Sequence, residues 1–159
     1  MKTPESWLRR LGVIVSAGWL LAGWGLTAGA APVISEIMAS NETSGMDGDG
    51  DASDWLEIFN PDAVAVDLAG WHLTDSAADP VKWTFPAGVV LPAGGFLRVW
   101  ASGKDRRTDP AALHTDFSLS AEGEYLALVP PAGGTAASAF SPAFPALRED
   151  ESYGVPFVS

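Results

Sequence analysis

The feature that most constrains this chain is a succession of short segments in which apolar and polar residues alternate, each cut off by Gly, Pro, Asn or Asp. The first is Val33-Ile34-Ser35-Glu36-Ile37-Met38. The second, Trp55-Leu56-Glu57-Ile58-Phe59, is stopped by Asn60-Pro61. Val66-Asp67-Leu68 runs on through Gly70 to Trp71-His72-Leu73. Lys82-Trp83-Thr84-Phe85, Phe96-Leu97-Arg98-Val99-Trp100 and Tyr125-Leu126-Ala127-Leu128-Val129 follow, then a weaker Ala137-Ser138-Ala139-Phe140. A period of two puts successive side chains on opposite faces of a pleated strand, and β-branched and aromatic residues suit such a surface. Seven or eight strands at this spacing predict an antiparallel sandwich or barrel. Leu56 and Ile58 are the natural core pair of the second strand. Trp71 is expected to pack across the two layers. Glu57, between two aromatics, is expected to bond turn backbone at the edge of the sandwich.

The punctuation agrees. Pro86-Ala87-Gly88, Pro92-Ala93-Gly94-Gly95 and Pro131-Ala132-Gly133-Gly134 each supply a fixed φ followed by a residue that accepts a positive one. They are reused turn chemistry rather than a structural repeat. With 17 Gly and 12 Pro, long helices are disfavoured. Only Asp109–Leu113 suits a helical turn, with Asp109 as cap and Pro110 at the first helical position. Residues 41–53 read as a loop.

Residues 1–30 read as an export signal. Lys2, Arg9 and Arg10 form a basic head, Leu11 to Leu26 is uncharged and apolar, and Ala28-Gly29-Ala30 fits small-x-small cleavage. Cutting after Ala30 makes Ala31 the first mature residue. The rival reading is an uncleaved anchor, since Leu11 to Ala31 is long enough to span a bilayer. Five glycines in that run and its small-residue end favour cleavage. Arg9-Arg10 raises a twin-arginine route, against which Gly12 stands where that signal wants a bulky apolar residue. The expected location is therefore the cell envelope or the exterior, with membrane contact only if the signal stays on.

The chain carries 9 Lys+Arg against 20 Asp+Glu. Removing residues 1–30 takes away Lys2, Arg9, Arg10 and Glu5, which leaves six bases, nineteen acids and a net charge of −13. That disfavours nucleic acid, whose phosphates need clustered Lys and Arg, and favours divalent cations or cationic ligands. The absence of cysteine excludes disulfides, thiolate zinc sites, thiol catalysis and an acylated lipoprotein cysteine. The fold has to rest on its core, for which about 129 residues suffice.

Five blocks, in order, resemble the lamin-tail domain family in its bacterial exported branch. They are Val33-Ile34-Ser35-Glu36-Ile37-Met38-Ala39-Ser40-Asn41, then Asp54-Trp55-Leu56-Glu57-Ile58-Phe59-Asn60-Pro61, then Val66-Asp67-Leu68-Ala69-Gly70-Trp71-His72-Leu73-Thr74-Asp75. The fourth runs from Trp83-Thr84-Phe85-Pro86-Ala87-Gly88 through Leu91-Pro92-Ala93-Gly94-Gly95-Phe96-Leu97. The fifth is Phe117-Ser118-Leu119-Ser120-Ala121-Glu122-Gly123-Glu124-Tyr125-Leu126-Ala127-Leu128. The resemblance covers about residues 33–154. It implies an immunoglobulin-like β-sandwich of about seven to nine strands over residues 31–154, without catalytic residues of its own. It also implies an accessory module of the kind found in large exported proteins beside nucleases, phosphatases, kinase-like domains or adhesive repeats. Residues 146–154 look like the family's closing strand. Residues 155–159 follow as a C-terminal end or the start of a linker, so the chain is either a fragment of a longer protein or a stand-alone copy. The chromatin role of eukaryotic relatives does not carry over to an exported, acidic chain.

The sharpest chemical feature is Asp47-Gly48-Asp49-Gly50-Asp51-Ala52-Ser53-Asp54. Alternate carboxylates with intervening glycines suit a hard cation, so Asp47, Asp49, Asp51 and Asp54 form a candidate calcium site. It is not an EF-hand, because Ala52 and Ile58 stand where that loop needs Gly and a bidentate Glu. The alternative is a solvated acidic loop. His72 and His114 belong to no HExxH-like pair and read as edge or surface histidines. No G-x-S-x-G elbow is present. Pairing carboxylates for glycoside hydrolysis proves nothing among nineteen acids. Trp55, Trp71, Trp83 and Trp100 raise a sugar-stacking face, against which stands ordinary core and edge packing. Asn41-Glu42-Thr43 is a glycosylation sequon. Lys104-Asp105-Arg106-Arg107 is the only basic cluster of the mature chain and reads as a solvated loop. The expected function is thus an exported, non-catalytic interaction or spacer module facing a protein or glycan surface. The alternatives are a calcium-dependent carbohydrate- or surface-binding module, and the leading piece of a secreted enzyme or kinase-like protein.

Overall fold

A computed structural model describes residues 29–154. The proposed signal, apart from Gly29 and Ala30, and the last five residues lie outside the described residues. Ten strands follow one another: β1 Val33–Met38, β2 Asp54–Phe59, β3 Val66–Asp67, β4 His72–Thr74, β5 Trp83–Thr84, β6 Val90–Leu91, β7 Phe96–Ala101, β8 Leu126–Val129, β9 Ser138–Phe140 and β10 Tyr153–Gly154. One antiparallel sheet has the order β10-β1-β2-β7 and the other β5-β4-β8-β9; β3 and β6 form a separate two-stranded ribbon. The all-β sandwich is as expected. The long third segment breaks at Gly70 (φ +77°), where the Trp71 amide donates to the Leu68 carbonyl, into β3 and β4. The two-residue strands β6 and β10 are too short to give a period. Residues 109–113 form only a turn, in which Asp109 Oδ1 accepts from the Ala111 amide at 2.9 Å.

The core lies between the sheets. Ile34, Ile37, Leu56, Ile58 and Val99 point in from the first, and Leu73, Trp83, Leu126 and Leu128 from the second. Leu91 of β6 closes it together with Leu68, Phe85, Leu113 and Phe144 from the connections, and Trp71 packs half-buried against it. Burial of a large apolar side chain contributes about 1.5–3 kcal/mol, so this one core carries the fold without a disulfide. Alternation alone would put Ile34, Glu36 and Met38 on one face of β1. Instead Ser35 is an extra residue: Ile34 pairs with Ile58 and Glu36 with Glu57. This bulge turns both Ile34 and Ile37 inward. The Ser35 hydroxyl donates to Glu57 Oε1 (2.9 Å) and to the Glu57 carbonyl (3.1 Å). Glu57 therefore bonds the bulge of a neighbouring strand, not turn backbone.

The strand register defines two poles. At one, Val33 faces Phe59 and Phe59 faces Phe96. There buried Asn60 donates to the carbonyls of Val64, Leu91 and Pro92, tying together the connections at that end. At the other pole Asp54 faces Ala101, and the 39–54, 102–106 and 117–121 loops gather. β10 is antiparallel to β1, with Ile37 opposite Tyr153 and Glu36 opposite Gly154. The chain consequently enters β1 and leaves β10 at the same, Asn60 pole. Before β10, the Asp150 carboxylate accepts from the amides of Glu42, Thr43 and Ser44 and from the Thr43 hydroxyl. These bonds hold its carboxyl well below the usual carboxylate range and fasten the closing segment to the 41–45 loop.

Candidate functional site

The loop pole is assembled by the β2–β7 pairing. Since Asp54 opposes Ala101, the residues just before one and just after the other become neighbours. This brings the acidic run 47–51 against Lys104 and Arg106. The Lys104 ammonium contacts Asp49 Oδ2 and Asp51 Oδ2, each at 2.8 Å, and Asp47 Oδ2. Arg106 grips both oxygens of Asp49, at 2.8 and 2.7 Å. Arg106 is itself held by reciprocal backbone bonds with His114. Asp47, whose side chain has no solvent exposure, folds the loop around itself. Its Oδ1 accepts from the Asp49 and Asp51 amides, and its Oδ2 from Ser53 Oγ. Burial opposes the charged form of Asp47, but the bonds from Lys104, Ser53 and the two amides outweigh it and hold the carboxyl well below its usual range. Arg106 and Lys104 hold Asp49 down at about 2. The same carboxylates outweigh the burial penalty on Lys104 and raise its pKa.

The four candidate calcium ligands separate here. Asp47, Asp49 and Asp51 bring one oxygen each within 4.8 Å of one another. Asp54 does not join them: its Oδ1 accepts from the Asn41 amide at 3.0 Å. The basic segment, expected to be a solvated loop, instead places a cation among the three carboxylates. Sequence reading missed Lys104 because it is 53 residues or more from its partners. The signal would have been the only cationic run beyond residue 30 of an acidic chain, positioned just after a strand that pairs with the strand following the acidic run.

The histidines, the tryptophans and the sequon asparagine are engaged within the fold. His114 is buried, not superficial: burial pushes its imidazole pKa down, and its Nδ1 lies 2.8 Å from Ser102 Oγ. His72 sits in β4, between β5 and β8 rather than on an edge, with Nδ1 2.9 Å from Thr84 Oγ1. Trp83 is fully buried and donates from Nε1 to Asp105. Trp55 and Trp100 lie on the outer face of the first sheet, but the Arg98 guanidinium covers both, at 4.7 and 5.6 Å from the rings. None of these tryptophans offers the open face a sugar platform needs. Asn41 of the sequon is buried, with its amide donating to the carbonyls of Gly45 and Ser53. A glycan there would require the loop to open.

Beside the charged cluster is a cavity of about 420 Å³ lined by residues 39–42, 52–54, 101–102, 118–119 and 121. Two antiparallel sheets packed face to face, with connections gathered at the ends of the sandwich, have the immunoglobulin-like architecture. The model of the lamin tail domain family matches residues 26–141, and the chain belongs to that family, whose domains are immunoglobulin-like and non-enzymatic. No curated protein matches. Among solved structures, the chain is similar to a DUF4876 family protein from Bacteroides thetaiotaomicron, at 12% identity with a TM-score of 0.39. The match covers 64% of this chain and 43% of that one. Among the described residues no helix is long and apolar enough to cross a membrane.

Proposed function

We propose that this chain is an exported, non-catalytic interaction module, an accessory part of a larger assembly, that presents its loop pole to a protein surface. The observation that carries this reading is polarity. The chain enters and leaves at the Asn60 pole, whereas the charged cluster and the cavity occupy the opposite pole. Charge supports a basic partner. Four of the six mature cations are engaged by the domain's own carboxylates, and Arg98 lies over two indoles. The surplus of acids is left to the outside.

Two measurements test this. Expressed with residues 1–30 in a bacterial host, the protein is expected outside the cytoplasm with Ala31 as its first residue; a retained leader rejects cleavage. A photocrosslinking residue placed at Met46 or Glu122, at the loop pole, should capture a partner in the producing cell. The same residue at Ala63 or Ala93, at the other pole, should not. Capture confined to the second pair overturns the orientation.

A second reading, calcium at the loop pole, is favoured by the convergence of Asp47, Asp49 and Asp51. An ion has to displace the Lys104 ammonium, which makes its affinity weak, in the range of about 10⁻⁴–10⁻³ M. Titrating calcium against a chelator while following thermal unfolding decides it: a rise in Tm supports the ion, and no shift at several millimolar removes it.

A further inference from the structure

The turn after β2, at the pole where the chain enters, carries a carboxylate with no partner of its own. Asp62 is fastened through its backbone: its amide donates to Asn60 Oδ1 at 3.0 Å and its carbonyl accepts from the Gly94 amide at 3.3 Å. Its half-buried side chain makes no hydrogen bond or ion pair among the described residues. Other loop aspartates spend an oxygen locally, Asp67 on the Ala69 amide and Asp109 on the Ala111 amide. In the turn of Asp62 that part belongs to Asn60. No side-chain cation is at hand either, since Lys82 is the only base between residues 29 and 97 and it is paired with Asp75.

What the Asp62 carboxylate faces is the end of the leader. Val33 pairs with Phe59, so the chain just before β1 runs beside the turn that follows Phe59. Pro32 is buried there, and Asp62 Oδ2 lies directly against Gly29, where a β-carbon would overlap it. Ala31 is two residues from Gly29, at most about 7 Å of extended chain. It precedes proline, which confines its backbone to extended conformations, so its nitrogen sits on a short, stiff tether. Hydrolysis of the Ala30–Ala31 bond by a signal peptidase puts the hydroxyl of water on the Ala30 carbonyl carbon. It leaves Ala31 with a primary amine, protonated below about pH 8. The same cut takes Gly29 and Ala30 away from the carboxylate.

We propose that Asp62 binds the α-ammonium that processing creates on Ala31, so that loss of the leader fastens the start of β1 to the turn after β2. In the precursor this nitrogen is a neutral peptide N–H, and the ion pair therefore belongs to the processed form alone. The proposal rests on export with cleavage after Ala30.

The test uses the full chain, expressed for export, with the product purified from outside the cytoplasm. Intact mass gives its first residue. Its amines are then dimethylated with ¹³C-formaldehyde, which keeps their charge, and titrated by NMR; beyond residue 30 the only lysine amines are those of Lys82 and Lys104. The α-amine midpoint is expected about 0.3–0.7 pH unit higher in the wild type than in Asp62→Asn, the scale of an exposed ion pair. The difference should shrink at about 0.5 M salt. Asp62→Asn leaves the backbone bonds of the turn in place, and amide shifts away from the turn should not move. Asp67→Asn is the control: it removes an equal charge from the neighbouring β3–β6 ribbon and should leave the midpoint at the wild-type value. Equal midpoints in the wild type and Asp62→Asn, or an equal fall in Asp67→Asn, overturn the ion pair and leave cleavage standing. A first residue other than Ala31 overturns the ion pair together with the cleavage reading.

Discussion

Gly123→Ala is expected to destabilise the domain strongly. Gly123 has a φ of +85°, and a β-carbon placed there would lie 2.1 Å from the Phe144 carbonyl oxygen. The contact cannot be relieved cheaply. The Phe144 amide bonds the Glu124 carbonyl, the Leu147 amide bonds the Ala121 carbonyl, and the Phe144 ring is buried in the core. Strained backbone plus forced displacement of a packed segment costs about 3 kcal/mol or more. For a domain of this size that lowers Tm by about 10 °C. Gly88→Ala is the control. It has nearly the same φ, +87°, and a β-carbon at that position would meet nothing within 4 Å, so it should cost only the about 1–2 kcal/mol of left-handed backbone. Equal losses in the two variants, read by denaturant unfolding, would show that φ alone and not the carbonyl contact sets the cost.

The second large effect is expected at Asp47. Asp47→Ala removes the common acceptor of two amides, Ser53 Oγ and Lys104, and leaves a partly buried ammonium with fewer partners. The cost is about 3 kcal/mol, the scale of breaking a buried charged hydrogen-bonded group. The pH dependence carries the same signature. Asp47 is held below its unfolded value of 3.8, and Asp49 lies at about 2. Groups depressed in this way bind protons more readily when unfolded. Their stabilisation is present above about pH 4 and is lost as pH falls through their folded-state values. Unfolding measured between pH 6 and pH 2 should therefore show a drop at the acid end that is shallower in Asp47→Ala. An unchanged slope would remove Asp47 from that role.

The sandwich was legible because its longest strands alternate cleanly. Residues 54–59 pair with 96–101 residue for residue, so pattern and register agree. β1 was legible as a strand but not in its facing, because the bulge at Ser35 shifts the period and its cause lies across the sheet, at Glu57. The candidate site was half legible. The acidic loop declared itself by spacing, but what its carboxylates hold is decided by a lysine brought near only by strand pairing. The same holds for Asp54, which looks like a fourth ligand in sequence and is instead a backbone acceptor for Asn41. Burial of His114 was hidden for a related reason: it lies on a connection that folds back to bridge and stack on Trp100 of β7.

The adjacency of β1 and β10 has a mechanical meaning. A chain tugged at both flanks would draw the first and last strands apart from one end, so that their hydrogen bonds open singly, like a zip, instead of sliding together in shear. Inserted in a longer polypeptide, such a unit hangs from the thread as a pendant. It adds little to contour length and releases its final strand under modest load, so it is poorly suited to bearing tension as a rod.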